Sequence, residues 1–263
     1  MSLKITTELI KELRDATGIS VMQCKHALEE AEGDMKKALA ILKKTSSDIA
    51  LKKINREVKD GAVMIKMKDG KAVLISLLCE TDFVARNEDF LILLKNLSEK
   101  ALSLGIKKME EEAKEMIDSV IQKTGENIQL GDSYEISGNV LGSYVHNNKS
   151  GVIVSLNGGN VELAKDIAMH ITAMKPEYIT DAEISENARK TMTEIFQKEI
   201  ENIDKPAEIK KKILDGKINT YFKEKTLLDQ LFIKNTDSNA DETVGKLLER
   251  EKAKIKEAKR YSI

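Results

Sequence analysis

Between residues 5 and 46 apolar positions recur every three or four residues in three short runs, the period of amphipathic helices. Thr6 or Thr7 caps the first, which carries Leu9, Ile10, Leu13 and Ala16, and Gly18 ends it. Ser20 caps the second through Val21, Cys24, Ala27, Leu28 and Ala31. Gly33 and Asp34 separate it from a third with Met35, Ala38, Leu39 and Leu42. From Thr45 to Asp60 the chain is polar and Lys-rich and reads as a linker with room for helix. Gly61–Met67, an Asp69-Gly70 turn and Lys71–Cys79 predict a β-hairpin. A helix with Phe90, Leu94, Leu97 and Ala101 on one face follows, and Lys108–Lys123 is a second, with Met109, Ala113, Met116, Val120 and Ile121 inside.

The hairpin-helix pattern then repeats. Asn139–His146, a turn over 147–151 and Val152–Leu156 predict a second hairpin, with Val161–Met174 as its helix. Two such units around aliphatic cores make an α+β body. Beyond Pro176 the apolar stripes narrow. Ile184, Ala188, Met192, Ile195, Ile200 and Ile203 form one, Asp204-Lys205-Pro206 turns the chain, and Ile209, Ile213, Ile218 and Tyr221 form another. Narrow seams and a short turn predict an antiparallel coiled-coil arm, against the alternative of two helices lying flat on the body. Asp237–Asp241 reads as a polar loop and Thr243–Ala258 as a charged terminal helix.

The repeat singles out one corner. Where the second unit joins strand to helix with Asn157-Gly158-Gly159-Asn160, the first has Thr81-Asp82-Phe83-Val84. Thr81 is a good N-cap, and Asp82 falls where free amides favour an anion. Spacing alone leaves two roles for Phe83, a staple on its own helix or an exposed contact. The plain corner of the second copy moves the weight to the exposed contact.

Composition narrows the function. Charged residues make up 33% and aromatics 4% of the 263 residues, and 43 Lys and Arg against 44 Asp and Glu argue against a large nucleic-acid footprint. Cys24 and Cys79 lie far apart on apolar faces and read as buried free thiols of a reducing compartment. No apolar run reaches the roughly 20 residues of a membrane span, and with no signal segment before Met1 a cytosolic chain is expected. No phosphate loop GxxxxGK(S/T) or GxGxxG occurs, so neither nucleotide nor other cofactor is expected on the chain. His26, His146 and His170 share no metal or catalytic spacing with Cys24, Cys79 or a carboxylate cluster, and His170, mid-helix among apolar residues, reads as structural. Ser143-Tyr144 is no nucleophile elbow. The residues point to a protein that acts by binding, not an enzyme.

At that level the motifs resemble a known family. Cys79-Glu80-Thr81-Asp82-Phe83-Val84-Ala85-Arg86 is similar to the TDFVA(K/R) signature of elongation factor Ts, and Leu9–Ala27 to its N-terminal LRxxTGxxxxxCKxAL pattern. Gly125-Glu126-Asn127-Ile128, Leu141-Gly142-Ser143-Tyr144-Val145-His146, Ala168-Met169-His170-Ile171 and Thr243-Val244-Gly245-Lys246-Leu247-Leu248 follow in the family's order. The order of the first three helices resembles a ubiquitin-associated domain, a generic docking module. The resemblance implies a guanine-nucleotide exchange factor that binds elongation factor Tu and speeds GDP release by distorting its Mg²⁺ and phosphate site, the metal being the partner's. It carries the wedge role to Asp82 and Phe83, flanked by Thr81 and Val84, and supporting contacts to His146, Lys25, Met22 and Ile233. Two features depart from the family. Phe232-Ile233-Lys234 has a lysine where a second apolar residue is expected, and the sequence closes at Tyr261-Ser262-Ile263 where many relatives continue, so a shortened or rearranged terminal module is expected.

The expected organisation is a docking domain with linker over 1–55, core segments over 56–138 and 139–180, the arm over 181–226 and a core return with a helical segment over 227–263. The expected partner is elongation factor Tu, GDP-bound and nucleotide-free, with no nucleic acid, no membrane, and a homodimer through the arm as a further option. The rival reading is an adaptor that docks some other protein through the bundle and arm.

Overall fold

The computed structural model describes residues 5–201, 205–234 and 241–263, so Ile203 and Asp204 of the expected arm and 237–240 of the expected loop lie outside the described residues. Contacts divide the chain into two compact units, one of Met1–Glu135, Val145–Gly151 and Tyr261–Ile263, the other of Ile136–Tyr144 and Val152–Arg260.

The first unit begins with helices α1 (Thr7–Thr17), α2 (Val21–Glu30) and α3 (Met35–Lys53). Each has a side-chain cap at its start. Thr6 accepts from the Leu9 amide, Ser20 from Gln23, and Asp34 from both Lys36 and Lys37. Gly18, at φ 68°, ends α1 in the left-handed conformation. Leu13, Cys24, Leu28, Ala38 and Leu42 close a small core of their own. Of the stretch read as a linker with room for helix, residues 45–53 are helical and form the second half of α3. The Lys run hid an apolar face, for Ala50 is buried and joins the next core with Ile49, while Ser46 bonds Gln122 and Ser47 donates to Asp118 at 2.8 Å.

Strands β1 (Asp60–Lys68) and β2 (Lys71–Cys79) form the expected hairpin, in register from Asp60 opposite Cys79 to Lys68 opposite Lys71. Asp69 and Gly70 both have positive φ, the conformation a tight two-residue hairpin requires. A four-residue turn of helix, α4 (Asp82–Ala85), leads to α5 (Glu88–Leu104) and α6 (Ile106–Thr124), and β3 (Ile128–Ser137) adds a third strand beside β2. Phe90, Leu94, Leu97 and Ala101 of α5 face Val73, Ile75 and Leu77 in one aliphatic core.

The second sheet has the order β4 (Val140–His146), β5 (Ser150–Asn157) and β6 (Lys254–Ser262), with α7 (Val161–Met174) packed on it. Gly142 shows why that strand tolerates no side chain there, since a Cβ would fall 2.2 Å from the backbone of Ala164 in α7. Strand β6 corrects the expected terminal helix over 243–258. Helix α10 (Val244–Arg250) stops after seven residues, where the Ala253 amide donates to Leu248 O at 2.8 Å around Lys252 at φ 49°. Past that turn Ile255 and Ala258 lean on the core while lysines face out, a charge-guarded strand that helical periodicity mimics.

Helices α8 (Glu186–Glu201) and α9 (Ala207–Lys225) pack on each other. Two positions of the expected seam are exposed, Ile195 on α8 and Ile209, at 44%, in the first turn of α9. Ile195 is 45% exposed, and Phe196 takes its place, four residues after Met192 and four before the buried Ile200. Its ring meets Tyr221 edge-on at 5.8 Å between centroids. Among the described residues no helix is long and apolar enough to cross a membrane.

Candidate functional site

The corner after β2 is held from three sides and offers one side chain to solvent. Thr81 is the N-cap of α4, its hydroxyl accepting from the Val84 amide at 3.4 Å. Val84, 9% exposed, and Ala85 are set in the core, so these residues anchor the turn. The Cys79 thiol donates to Thr81 O at 3.2 Å. Burial, with the carboxylates of Asp60 and Glu126 nearby, pushes that thiol up to about 12, so it stays a protonated donor. Between these anchors Phe83 is 83% exposed, the most exposed of the large apolar side chains among the described residues. The staple on its own helix is therefore not formed. Asp82 pairs with Arg86 at 3.3 Å across one exposed turn, a contact worth little in water and easily exchanged.

A pair of carboxylates ties this corner to the loop before β3. Glu126 accepts from the Thr81 amide at 3.0 Å and from its hydroxyl at 2.7 Å. Glu80 returns the contact, accepting from the Asn127 amide at 2.6 Å and lying 3.5 Å from the Arg56 guanidinium. The buried Asn127 side chain donates to Arg56 O at 2.7 Å, which fixes the chain leaving α3. The motif Gly125-Glu126-Asn127-Ile128 was visible in the sequence, but nothing in its spacing showed that it reaches Thr81.

The same unit carries His146, Lys25 and Met22. His146 ends β4 at an exposed turn, its Nε2 3.3 Å from the side-chain Nδ2 of Asn147. Lys149 in that turn bonds Asp60, the residue opposite Cys79, and donates to Gly61 O at 2.7 Å, while the Val63 amide donates to Asn148 O. The His146 turn is thus fastened to the strand beside the Phe83 corner. On α2, Met22 is 59% exposed and Lys25 lies 3.7 Å from Glu29 on the surface. The bundle reaches the corner's helix through Gly18, which lies against the Lys123 ammonium. That ammonium pairs with Asp89 in the first turn of α5 at 2.7 Å.

Ile233 belongs to the second unit and is exposed, with Phe232 buried before it and Lys234 paired to Asp166 at 2.5 Å. The lysine that departs from the family pattern thus turns back to α7. His170 on α7 is wholly buried, as its setting suggested. Its Nε2 meets Gln230 Oε1 at 2.9 Å, its Nδ1 accepts from the Ile233 amide at 3.3 Å, and its ring stacks on Phe232. Burial holds its pKa below the ordinary histidine value, against the pull of the Gln230 bond. Among the described residues no group of His, Cys, Asp and Glu could hold a metal ion.

Comparison with known proteins agrees with the motifs. The family profile described as Elongation factor TS matches residues 80–263, and a UBA-like domain matches residues 6–42. Elongation factor Ts of Hahella chejuensis is 40% identical over 267 residues, covering 98% of this chain and 92% of its own length. That of Thioalkalivibrio sulfidiphilus is 37% identical over 275 residues, with 99% and 92% covered. The chain belongs to the elongation factor Ts family, which acts as the nucleotide-exchange factor for elongation factor Tu.

Proposed function

We propose that this chain binds elongation factor Tu in its GDP-bound and nucleotide-free states and releases GDP by placing Phe83 and Asp82 against the partner's Mg²⁺ and phosphate site. The observation that carries this reading is an aromatic 83% exposed on a turn pinned by Thr81, Val84 and Ala85. A preorganised apolar wedge spends little of its contact energy on its own ordering. Thr81 and Val84 act by holding the turn, while Met22, Lys25, His146 and Ile233 supply supporting contacts. No covalent step is involved, and the work is done in the cytoplasm. Coupling between factor and nucleotide is reciprocal, so bound GDP weakens the factor by the same ratio. Each tenfold loss of GDP affinity needs about 1.4 kcal/mol of contact that the nucleotide-bound partner cannot make. The test is release of labelled GDP from elongation factor Tu with and without this chain. Acceleration at substoichiometric amounts is expected, and tight binding without acceleration points to the adaptor reading.

The helices α8 and α9 act, in the same proposal, as an antiparallel coiled-coil arm. Among the described residues of the pair only Ile200 and Phe222 are fully buried, which is what a narrow seam gives. Replacing residues 186–220 with a short linker is expected to leave the melting transition of the remainder within about 3 °C. Loss of a cooperative transition would place these helices in the core. The further option, a homodimer through this arm, would show as a concentration-dependent mass in sedimentation, and the deletion would abolish it.

A further inference from the structure

We propose that Glu126 is a positioning residue for nucleotide exchange, holding Thr81 so that Phe83 is presented in one fixed orientation; this rests on the wedge reading above. A four-residue helix cannot support itself, because nucleation costs more than its few bonds return. In a capping box, the N-cap hydroxyl bonds the N3 amide and an acidic N3 side chain bonds back to the N-cap amide. Here N3 is Val84, which is committed to the core and has no carboxylate to offer. Glu126, 45 residues along the chain, supplies the missing half. Its two contacts to Thr81, at 3.0 and 2.7 Å, satisfy the N-cap amide and orient the hydroxyl that accepts from Val84. Glu80 fixes the loop that carries Glu126 through the Asn127 amide at 2.6 Å, so each side of the corner is tied to the other by a carboxylate. Phe83 lies two residues after Thr81 and has no side-chain packing of its own to set its direction. Its aim depends on the backbone that Glu126 holds.

A positioning role and a merely structural role separate in a double-mutant cycle read by two measurements. Glu126→Ala is expected to lower kcat/KM for GDP release about tenfold, the scale of charge-assisted hydrogen bonds. In the Phe83→Ala background the same change should lower exchange no further, since there is no wedge left to aim. Its effect on the melting temperature should be equal in both backgrounds. Glu126→Gln keeps an acceptor for the Thr81 amide but puts an N–H donor where the Thr81 hydroxyl had its acceptor, a contact that a lone pair of the hydroxyl can take, so it should recover part of the exchange. It also keeps the cycle measurable if the alanine variant does not fold. Full exchange by Glu126→Ala, or an equal loss in both backgrounds, overturns the proposal. Full exchange by Phe83→Ala alone is a separate result, which removes the wedge reading and this inference with it.

Discussion

Phe83→Ala is expected to melt within about 2 °C of the parent chain and to slow catalysed GDP release at least about 30-fold. The two numbers come from the same feature. A phenylalanine truncated in a core costs about 3–5 kcal/mol because it leaves a cavity, but Phe83 is 83% exposed and leaves none. Its exposure costs the free protein a hydrophobic penalty that is recovered only when a pocket closes over the ring. Buried aromatic anchors of that kind contribute about 2 kcal/mol or more at interfaces. Asp82→Ala should slow exchange less, because its carboxylate is half-exposed, already shared with Arg86 and screened by salt. The double variant should fall short of the product of the two effects, since both residues meet the partner over one surface. Differential scanning calorimetry and stopped-flow release of a fluorescent GDP measure the two sides. A strongly destabilised Phe83→Ala protein that still exchanges at full rate would show that the corner is packing and that another surface does the work.

How much of this was legible in the sequence depends on whether the signal was local. The hairpins were readable because short apolar runs and turn residues such as Asp69-Gly70 between them are local statements. The Phe83 corner was readable because the chain contains its own control, a second copy in which Asn157-Gly158-Gly159-Asn160 makes the same connection without an aromatic. What escaped was decided by partners far along the chain. Nothing within residues 45–53 shows that Ser46 and Ser47 meet Gln122 and Asp118, and without them a Lys-rich run reads as linker. Strand β6 escaped because its Lys and Glu are good helix formers, and its pairing with β5 outweighs that weak preference. Strand β3 carries mostly half-buried residues with no clear alternation. Ile195 was favoured over Phe196 by residue type, whereas four-residue steps from Met192 to Ile200 select the phenylalanine. Glu126 was visible only as a letter in a motif.

His170 yields the largest expected change in stability. Its ring is the one neutral arrangement that suits both neighbours: Nε2–H donates to Gln230 Oε1, and unprotonated Nδ1 accepts from the Ile233 amide. Gln230 in turn donates to Glu224 O at 2.6 Å, so the ring closes a chain of bonds that ends on the segment bearing Ile233. His170→Ala leaves a buried acceptor and a backbone amide without partners and removes the stack on Phe232. About 3 kcal/mol should be lost, or roughly 6–12 °C in melting temperature. Protonation attacks the same network, since a second N–H at Nδ1 would point at the Ile233 N–H. The folded pKa is depressed below the unfolded value near 6.5 because burial penalises the charged ring. The unfolded chain therefore binds the proton first as pH falls. His170's contribution is whole above about pH 6.5 and is lost below it, by up to about 1.4 kcal/mol per pH unit, until the folded pKa is passed. His170→Asn, whose Oδ1 can accept from the Ile233 amide, removes the titration while every other group stays in place. Urea unfolding of both proteins from pH 7.5 to 5.0 should show the parent losing stability relative to the asparagine variant below pH 6.5. Parallel curves over that range would mean that the buried ring does not set the pH response, and that the Ile233 segment is held by Phe232 packing alone.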